Sequence, residues 1–558
     1  MKKKVAKKLV AGVLASSMIL SLTACGGESS ESTTTDTAAE TKTEQKADTT
    51  TAKTEEKTET SAADTAETKP EPLSITVSLP SDDEHLDANE HYDRMVKEIN
   101  EYTNMDVTWQ WQDQTTYYDA EHLGLKLTTG DVADVLVVGK DATFLAAAEE
   151  GLFWDLTDYI DDYDNLATIP EATRANASYN GKMYGIPRSR TLARNGFGYR
   201  LDWLNNLGLK EPTTWEAFSD MLYAFTYNDP DQNGADDTVG LGLDSWTGVF
   251  NIMWTWFGVP NEWGIDGNGD LIHYSQTDEY KTALAAFREL YGLGVINNGS
   301  NGIPDFMSVA AGKARDELLR TGLAGAGVQV LDDQRKVETY FEDQGLSTAD
   351  DPIYTLGGYV DTGLGALCYP TTGMNNMIAI STVNIKTEDQ LRQVLGFLND
   401  LNDGECVNMI DYGWEGVTYS INESGYIQLY TAEELTAAGV TSSKFRNGFN
   451  QVVPYFTAEA NARPVTVEAG TTVITKLEQK LYAEDIQYVV TNYGASYTSD
   501  TFVEQGAALN TILSDAMISY IKGESDETAL DAAIKSWWTA GGETVTAEMN
   551  ELYHAAGN

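Results

Sequence analysis

The chain has 558 residues, more than a single hydrophobic core usually organises, so its length predicts two or more domains. Its 86 Asp and Glu outnumber 37 Lys and Arg, and the formal charge of −49 argues against a nucleic-acid-binding protein, because phosphate backbones are bound by clustered positive charge. Three cysteines are too few for a disulfide scaffold, and the 42% hydrophobic content is typical of a well-packed globular protein.

The first 24 residues have the layout of a bacterial export signal. Five lysines precede an apolar stretch over residues 9–22, which is short for a membrane-spanning helix. The stretch ends in Leu22-Thr23-Ala24-Cys25-Gly26, which resembles the lipobox of bacterial lipoproteins. The resemblance implies cleavage before Cys25 and lipidation of its thiol, with the protein held at the outer face of the cell membrane. The alternative is an ordinary signal peptide with an incidental cysteine.

The segment that follows predicts a flexible tether. Residues 26–72 contain no Val, Ile, Leu, Met, Phe, Tyr or Trp, so we expect residues 25–72 to form a lipidated and disordered stalk. Its root-mean-square reach is about 35–40 Å. Removal of residues 1–24 leaves 32 Lys and Arg against 86 Asp and Glu, a formal charge of −54 for the processed protein.

From residue 73 the chain alternates between strand and helix patterns. Leu73–Leu79 places apolar residues at every second position, which predicts a strand. Apolar residues at helical spacing follow from Tyr92 to Tyr102, then an extended piece around Val107–Trp109. The nearly unbroken apolar run Val132–Val138 predicts a strand buried on both faces. This order predicts an α/β fold with a parallel sheet.

The later elements continue the same pattern. Thr213-Thr214-Trp215-Glu216 predicts a capping box at a helix start, and Trp203 and Trp215 have the helical spacing of core residues. A helix over Tyr280–Tyr291 is expected to end at Gly292 or Gly294. A strand at Met377–Ile380 precedes a helix over Leu391–Leu398.

Several motifs in a fixed order carry a family resemblance. They are Gly130–Val135, Asn180-Gly181-Lys182-Met183-Tyr184-Gly185-Ile186-Pro187, Arg200–Leu204, Leu207-Gly208-Leu209, Pro212–Phe218, Tyr412-Gly413-Trp414-Glu415-Gly416 and Ile521-Lys522-Gly523. In this order and spacing the chain resembles the extracellular solute-binding proteins of carbohydrate ABC importers, the group that contains maltose- and alginate-binding proteins.

The resemblance implies a two-lobed periplasmic-binding-protein-like fold of type II, with a hinge between the lobes. The first lobe is expected to take residues 73–190 plus about 351–416, and the second lobe residues 191–350 plus about 417–558. By the same analogy the chain crosses between the lobes near Arg188–Phe197, near 350–360 and after Gly416.

An acidic loop follows the helix predicted from Thr213. Asp229, Asp231, Asn233 and Asp237 stand at positions 1, 3, 5 and 9 of a calcium-type loop, with Gly234 at position 6 and the Ala235 carbonyl at position 7. Similar loops hold calcium in alginate-binding relatives. This chain has Thr238 at position 10 and Gly240 at position 12, so it lacks the usual bidentate acid. The alternative is a solvated acidic turn. The loop at Asp266–Asp270 is shorter and predicts a hairpin turn.

Aromatic side chains are the candidate sugar platforms, because sugars stack on aromatic faces and bind a few convergent polar groups. Each of them could equally be a core residue. The candidates are Trp246, Trp254, Trp256, Trp263, Trp414, Tyr117, Tyr118 and, as a polar partner near the first crossing, Arg194.

No arrangement typical of an enzyme is evident. The five histidines have no metal-ligand spacing, and no nucleophile elbow or phosphate-binding loop is present. The resemblance implies a lipoprotein that captures an oligosaccharide and delivers it to an ABC permease. Oligomerisation is not needed for this role, so a monomer is expected. The alternatives are the same scaffold binding another solute, such as a peptide or a uronate-rich glycan, and a surface glycoside hydrolase or adhesin. The charge of −54 weakly disfavours acidic ligands, since local charge in the cleft matters more.

Overall fold

The computed structural model describes residues 71–81, 91–118, 120–423, 425, 427–440, 448–454 and 472–558. The predicted leader, Cys25 and the tether up to residue 70 lie outside this part of the chain. No helix within the described ranges is long and apolar enough to cross a membrane.

The strands of the described residues fall in the order expected for alternating α/β structure. They are β1 Leu73–Ser81, β2 Met105–Asp113, β3 Val135–Val138, β4 Ile186–Ser189, β5 Asn195–Arg200, β6 Val239–Leu241, β7 Trp263–Ile265, β8 Leu271–His273, β9 Ala324–Val330, β10 Tyr354–Gly357, β11 Met374–Ile380, β12 Tyr419–Ile421 and β13 Ile427–Leu429.

The α-helices lie between and after these strands. They are α1 Tyr92–Thr103, α2 Gln114–Tyr117, α3 Ala120–Thr129, α4 Ala142–Glu149, α5 Glu171–Ala177, α6 Leu201–Asn206, α7 Trp215–Tyr227, α8 Val249–Thr255, α9 Asp278–Gly292, α10 Lys313–Arg320, α11 Leu331–Asp343, α12 Glu388–Asp400, α13 Gly404–Tyr412, α14 Ala432–Ala437, α15 Val473–Asp485, α16 Asp500–Ile521, α17 Glu527–Trp537 and α18 Glu543–Ala555.

The first sheet has the order β2-β1-β3-β11-β4. Strand β1 runs parallel to β2 and β3, while β11 is antiparallel to β3 and β4. All four residues of β3 are buried, which confirms the prediction from the apolar run. The α/β fold class is therefore confirmed.

The second sheet has the order β10-β5-β9-β6 and its own core. Trp203 is buried in this core and Trp215 packs against it, as predicted. The first core takes side chains from Ile75 to Ile186 and again from Met377 to Val453. Two separate cores around two sheets give the two-lobed architecture.

The chain passes between the two sheets at two places that the structure describes. It leaves the first sheet after β4 and enters β5, across residues 190–194, and it returns between β10 and β11, across residues 358–373. We call these the crossing segments. Strand β10 pairs with β5 of the second sheet, whereas the sequence analysis assigned residues from about 351 to the first lobe.

Residues after Gly416 also differ from the sequence-based assignment. Phe449 packs against Trp109 and Trp111 of β2, with ring centroids 4.9 and 5.3 Å apart, so this stretch extends the first core. By contrast, Ile474 of α15 packs with Leu331 and Leu356 beside the second sheet.

One helix start is shifted by a residue. The N-cap of α7 is Thr214, whose hydroxyl accepts from the Ala217 N–H at 3.3 Å. Glu216 is then the second helical residue and cannot close a capping box, so the box predicted from Thr213 is wrong. A complete capping box joins Thr387 and Gln390 at the start of α12.

Candidate ligand-binding site

The tryptophans predicted as sugar platforms differ in exposure. Trp256 has no exposed surface and packs between Phe197 and Phe218, so it is a core residue and presents no face to a ligand. Trp254 is 5% exposed and stacks on Tyr274, with ring centroids 5.0 Å apart.

The remaining tryptophans of this group also lie in the second lobe. Trp263 is buried and meets His273 edge-on. Trp246 is partly exposed, and of the four it keeps the most surface for a ligand. The structure therefore brings Trp246, Trp254 and Trp263 into one lobe but leaves them mainly as packing residues.

The first-lobe candidates have structural partners. The Tyr117 hydroxyl donates to the Ser78 carbonyl at 2.8 Å and accepts from the Val137 N–H at 3.2 Å, which joins neighbouring strands inside the core. Burial raises the pKa of Tyr117. Tyr118 packs edge-on against Tyr117, with ring centroids 5.2 Å apart, and is partly exposed.

Trp414 lies in the first core rather than with the second-lobe tryptophans. Its indole Nε1 donates to Glu98 Oε2 at 2.6 Å, and the Arg94 guanidinium lies 4.0 Å from its ring. These contacts fix helix α1 against the end of α13. The structure thus separates Trp414 from the other candidates.

Arg194 lies on the first crossing segment and makes a bidentate ion pair. Its Nε and Nη2 donate to the two carboxylate oxygens of Asp332 at 2.8 and 2.7 Å. Burial alone would raise the pKa of Asp332, but the Arg194 charge outweighs this effect and holds that pKa below its usual range. Because its guanidinium is engaged by Asp332, Arg194 fixes the crossing segment to helix α11.

Polar residues that the sequence analysis missed lie between the lobes. Lys140 lies two residues after the end of β3, and its Nζ donates to the carbonyls of Asn176, at 2.9 Å, and Ala495, at 3.3 Å. Glu262 precedes β7 of the second lobe and accepts from Asn492 Nδ2 at 2.9 Å. The position of Lys140 was a usable signal, because ligands of open α/β sheets bind beyond the carboxyl ends of the strands.

The electrostatics of these groups reflect a confined site. Burial lowers the pKa of Lys140 to about 8, against the opposing effect of Glu262. Burial likewise raises the pKa of Glu262, although its side chain is exposed to solvent. A position between the walls of a cleft explains both findings, because protein atoms surround the carboxylate while one side stays open to water. Burial also raises the pKa of Tyr369, to about 12, and its hydroxyl accepts from Asn251 Nδ2 at 3.2 Å.

Two further hydrogen bonds join the lobes beside Lys140. The Thr498 N–H donates to Asn180 Oδ1 at 3.0 Å, and the Ser496 hydroxyl donates to the Ala175 carbonyl at 3.3 Å. The segment 492–498 is tied to the second lobe by the Tyr493 N–H, which donates to the Trp263 carbonyl at 3.1 Å.

An open groove of about 410 Å³ lies behind the same segment. One wall contains Pro260 and Gly264, and the other is formed by residues 487–491 and Tyr493. Glu262 and Asn492 are neighbours in sequence of these wall residues, but neither lines the groove.

The acidic loop folds back on itself. Asn233 Nδ2 lies 2.9 Å from Asp231 Oδ2 and 3.3 Å from both oxygens of Asp237. The Gly234 N–H donates to Asp229 at 3.2 Å, and Gly234 has a φ of +79°, which only glycine adopts freely. Three carboxylates therefore converge on one short stretch of backbone. The Asp266–Asp270 loop is the predicted hairpin turn between β7 and β8.

The two remaining cysteines do not pair with each other. Cys368 and Cys406 are both buried free thiols. Burial raises the pKa of each, which makes them unreactive.

Comparison with known proteins identifies relatives along most of the chain. The family model for bacterial extracellular solute-binding proteins matches residues 84–336. Lipoprotein LipO of Bacillus subtilis (strain 168) is 31% identical over 467 residues, which cover 83% of this chain and 89% of LipO. The polygalacturonan/rhamnogalacturonan-binding protein YtcQ of the same organism is 28% identical over 468 residues, with the same two coverages.

A solved structure supports the same fold. The ABC-transporter substrate-binding protein FusA of Streptococcus pneumoniae, in complex with kestose, superposes with a TM-score of 0.57 at 16% identity, covering 87% of this chain and 99% of FusA. The chain has two sheets joined by crossing segments, with a polar cleft between them, and it is similar to LipO along most of the length of both proteins. The chain therefore belongs to the bacterial extracellular solute-binding protein family.

Proposed function

We propose that this protein captures an oligosaccharide between its lobes and delivers it to an ABC importer. The observation that carries the proposal is the polar cleft, in which Lys140 of the first lobe interacts electrostatically with Glu262 of the second, as does Tyr369, which is hydrogen-bonded to Asn251. Aromatic surfaces with a few convergent polar groups are the usual features of sugar sites. The names of YtcQ and FusA point to carbohydrate ligands and, for FusA, to an ABC transporter.

A calorimetric titration tests this proposal. Oligosaccharides and short peptides are titrated into the purified protein, and the glycans are analysed afterwards for shortening. We expect at least one oligosaccharide to bind, raise the melting temperature and remain intact, because binding to the folded state alone stabilises it. Binding of peptides alone would favour the non-sugar alternative, and a shortened glycan would favour a glycoside hydrolase.

We also propose that Cys25 anchors the mature protein to the outer face of the cell membrane. LipO, the relative with 31% identity, is itself a lipoprotein by name. We expect a Cys25→Ser variant to leave the membrane fraction, because the thiol that carries the lipid is lost. The measurement is the distribution of the protein between membrane and soluble fractions. Cys406→Ser is the matched control, since Cys406 is buried and free and should not affect localisation.

The acidic loop is proposed to bind calcium in a structural role. Calcium takes six to eight oxygens, and Asp229, Asp231, Asn233 and Asp237 provide side-chain oxygens around the turn at Gly234. The Ala235 carbonyl would provide a further ligand. The carboxylates of Asp229, Asp231 and Asp237 all contact residues 233–234, so a small rearrangement of the loop would bring them around one ion. Among the described residues no group of three acidic side chains is already arranged to hold a metal ion. Bound calcium would fix the end of α7 to β6.

Chelation tests the calcium proposal. We expect EDTA to lower the melting temperature and added Ca²⁺ to restore it, with about one equivalent of calcium per chain by elemental analysis. Asp231→Ala should abolish this response. Asp266→Ala is the control, because it removes a similar carboxylate from the hairpin turn and should leave the response intact. A melting temperature insensitive to EDTA, with no metal in the protein, would overturn the proposal.

A further inference from the structure

Lys140 is a confined positive charge with no ion-pair partner among the residues that the structure describes. Its Nζ donates to two neutral groups, the carbonyls of Asn176 and Ala495. Among the described residues, no carboxylate lies within ion-pair distance of this nitrogen, and the interacting acid, Glu262, is farther away. A charge removed from water is costly unless it is paired.

Several other confined cations among the described residues are paired. Arg194 makes its bidentate contact with Asp332, Arg315 is bound by Asp244 and Asp316, and Arg335 contacts Glu478. These pairs lie within one lobe or at its crossing segment, where they have a packing role. Lys140 differs because it lies between the lobes, where its hydrogen-bond partners are two backbone carbonyls. Arg288 of α9 also donates to carbonyls, those of Tyr520 and Ser525, but it lies within the second lobe.

The location of Lys140 suits ligand recognition. It follows β3, so it lies at the carboxyl end of a parallel strand. Its two carbonyl partners come from different sides of the cleft: Asn176 belongs to α5 of the first lobe, and Ala495 to the segment held by the second. Carbonyls orient an ammonium group without neutralising it, which leaves its charge available to an anionic group.

We infer that Lys140 binds a carboxylate of the ligand, so that the cleft selects an acidic, uronate-containing oligosaccharide. The inference rests on the proposed capture of an oligosaccharide and names its class. A carboxylate beside Nζ would make a charge-assisted hydrogen bond and neutralise the ammonium, whereas a sugar hydroxyl supplies only a hydrogen bond. Glu262 of the second lobe interacts electrostatically with Lys140 and would repel the same carboxylate, so it opposes the binding of an acidic ligand.

The test compares acidic glycans with their neutral counterparts. Oligogalacturonates and alginate oligomers, each with a carboxyl-reduced form of the same backbone, are titrated calorimetrically into the full-length protein. We expect at least one acidic glycan to bind about tenfold or more tightly than its reduced form, because a hydrogen bond to a charged group is lost on reduction.

Variants assign the preference to this residue. Lys140→Met should bring the acidic and reduced glycans to similar affinity, and Lys140→Arg should keep the acidic preference. Lys97→Met is the control, because it removes a positive charge from the exposed face of α1. Glu262→Gln should strengthen acidic binding several-fold, since it removes the opposing charge. Melting curves of all variants verify that they fold.

The outcomes distinguish a failure of the role of Lys140 from a failure of the proposed oligosaccharide capture. Equal binding of acidic and reduced glycans, or an acidic preference that survives in Lys140→Met, would overturn the role of Lys140 while leaving oligosaccharide capture intact. Binding by no glycan of either kind would contradict the proposed function and, with it, this inference.

Discussion

At the scale of single residues, burial changes the pKa of ionisable side chains in this protein. Glu338 of α11 is completely buried, and its Oε2 accepts from the Tyr354 N–H at 2.7 Å. Burial raises its pKa to about 7, with the neighbouring Glu342 adding to the shift. The carboxyl group therefore exchanges its proton near neutral pH in the folded protein.

This pKa predicts a pH-dependent stability. Between the unfolded pKa of about 4.3 and the folded value of about 7, the folded state holds a proton that the unfolded state has released. The stabilising contribution is complete below the lower value and is lost as the pH rises through the upper one. We expect Glu338→Gln to gain melting temperature relative to the parent between pH 5 and about pH 8.

The control for this prediction is Glu317→Gln on α10, where the side chain is exposed. Its melting temperature should follow that of the parent at every pH. A constant difference between Glu338→Gln and the parent across the range would show that this carboxyl group does not titrate as described.

At the scale of elements, the residue at which a helix begins determines which of its side chains point into the core. Thr214 caps α7, so Phe218, Leu222 and Phe225 are directed into the second core. The sequence offered two adjacent threonines, and local pattern alone favoured Thr213 because Glu216 stands three residues later. The pairing of Thr214 with Asp361 in an isolated bridge fixes the chain one residue further on.

The two threonines form a matched pair of variants. We expect Thr214→Ala to destabilise the protein by about 1 kcal/mol, because an N–H at the helix start loses its acceptor. Thr213→Ala should be nearly neutral, since its side chain is exposed and outside the helix. Chemical denaturation of the two variants measures the difference. A larger loss for Thr213→Ala would place the cap where the sequence pattern put it.

At the scale of the molecule, two cores and the crossing segments define the motion that the fold permits. Each lobe has its own sheet and core, so relative rotation of the lobes need not disturb packing inside either one. The contacts that join them beside the cleft are a few hydrogen bonds, among them the bond from the Thr498 N–H to Asn180.

This architecture predicts that the unliganded protein opens when those bonds are removed. Asn180→Gly deletes the acceptor of the Thr498 N–H while keeping a residue that tolerates the positive φ of 49°. We expect a larger radius of gyration by solution scattering without ligand, and the parental value with saturating ligand, because a ligand that contacts both lobes favours closure. Asn301→Gly is the control, at an exposed turn with a φ of 55°. An unchanged radius for Asn180→Gly would show that this bond does not restrain the lobes.

The sequence by itself determined the class of fold and the family of the protein. The alternation in Leu73–Leu79, the apolar run Val132–Val138 and the helical spacing over Tyr280–Tyr291 are local patterns, and each corresponds to an element of the predicted type: β1, β3 and α9. Motifs in a fixed order along the chain indicated a two-lobed solute-binding protein. Related chains preserve the spacing between such motifs when they share the helices and strands that connect them.

Only the tertiary structure decided which residues form the cleft. Trp256 and Trp246 are close in sequence, yet the first is fully buried and the second keeps exposed surface, because periodicity shows which face of an element is apolar and not what covers that face. Lys140 and Glu262 lie on different lobes and become neighbours only when the two cores meet. The same reason explains why the net charge of −49 does not describe the site. A ligand in a cleft responds to the few charges that line it, and here these include the Lys140 ammonium group, which has no ion-pair partner among the described residues.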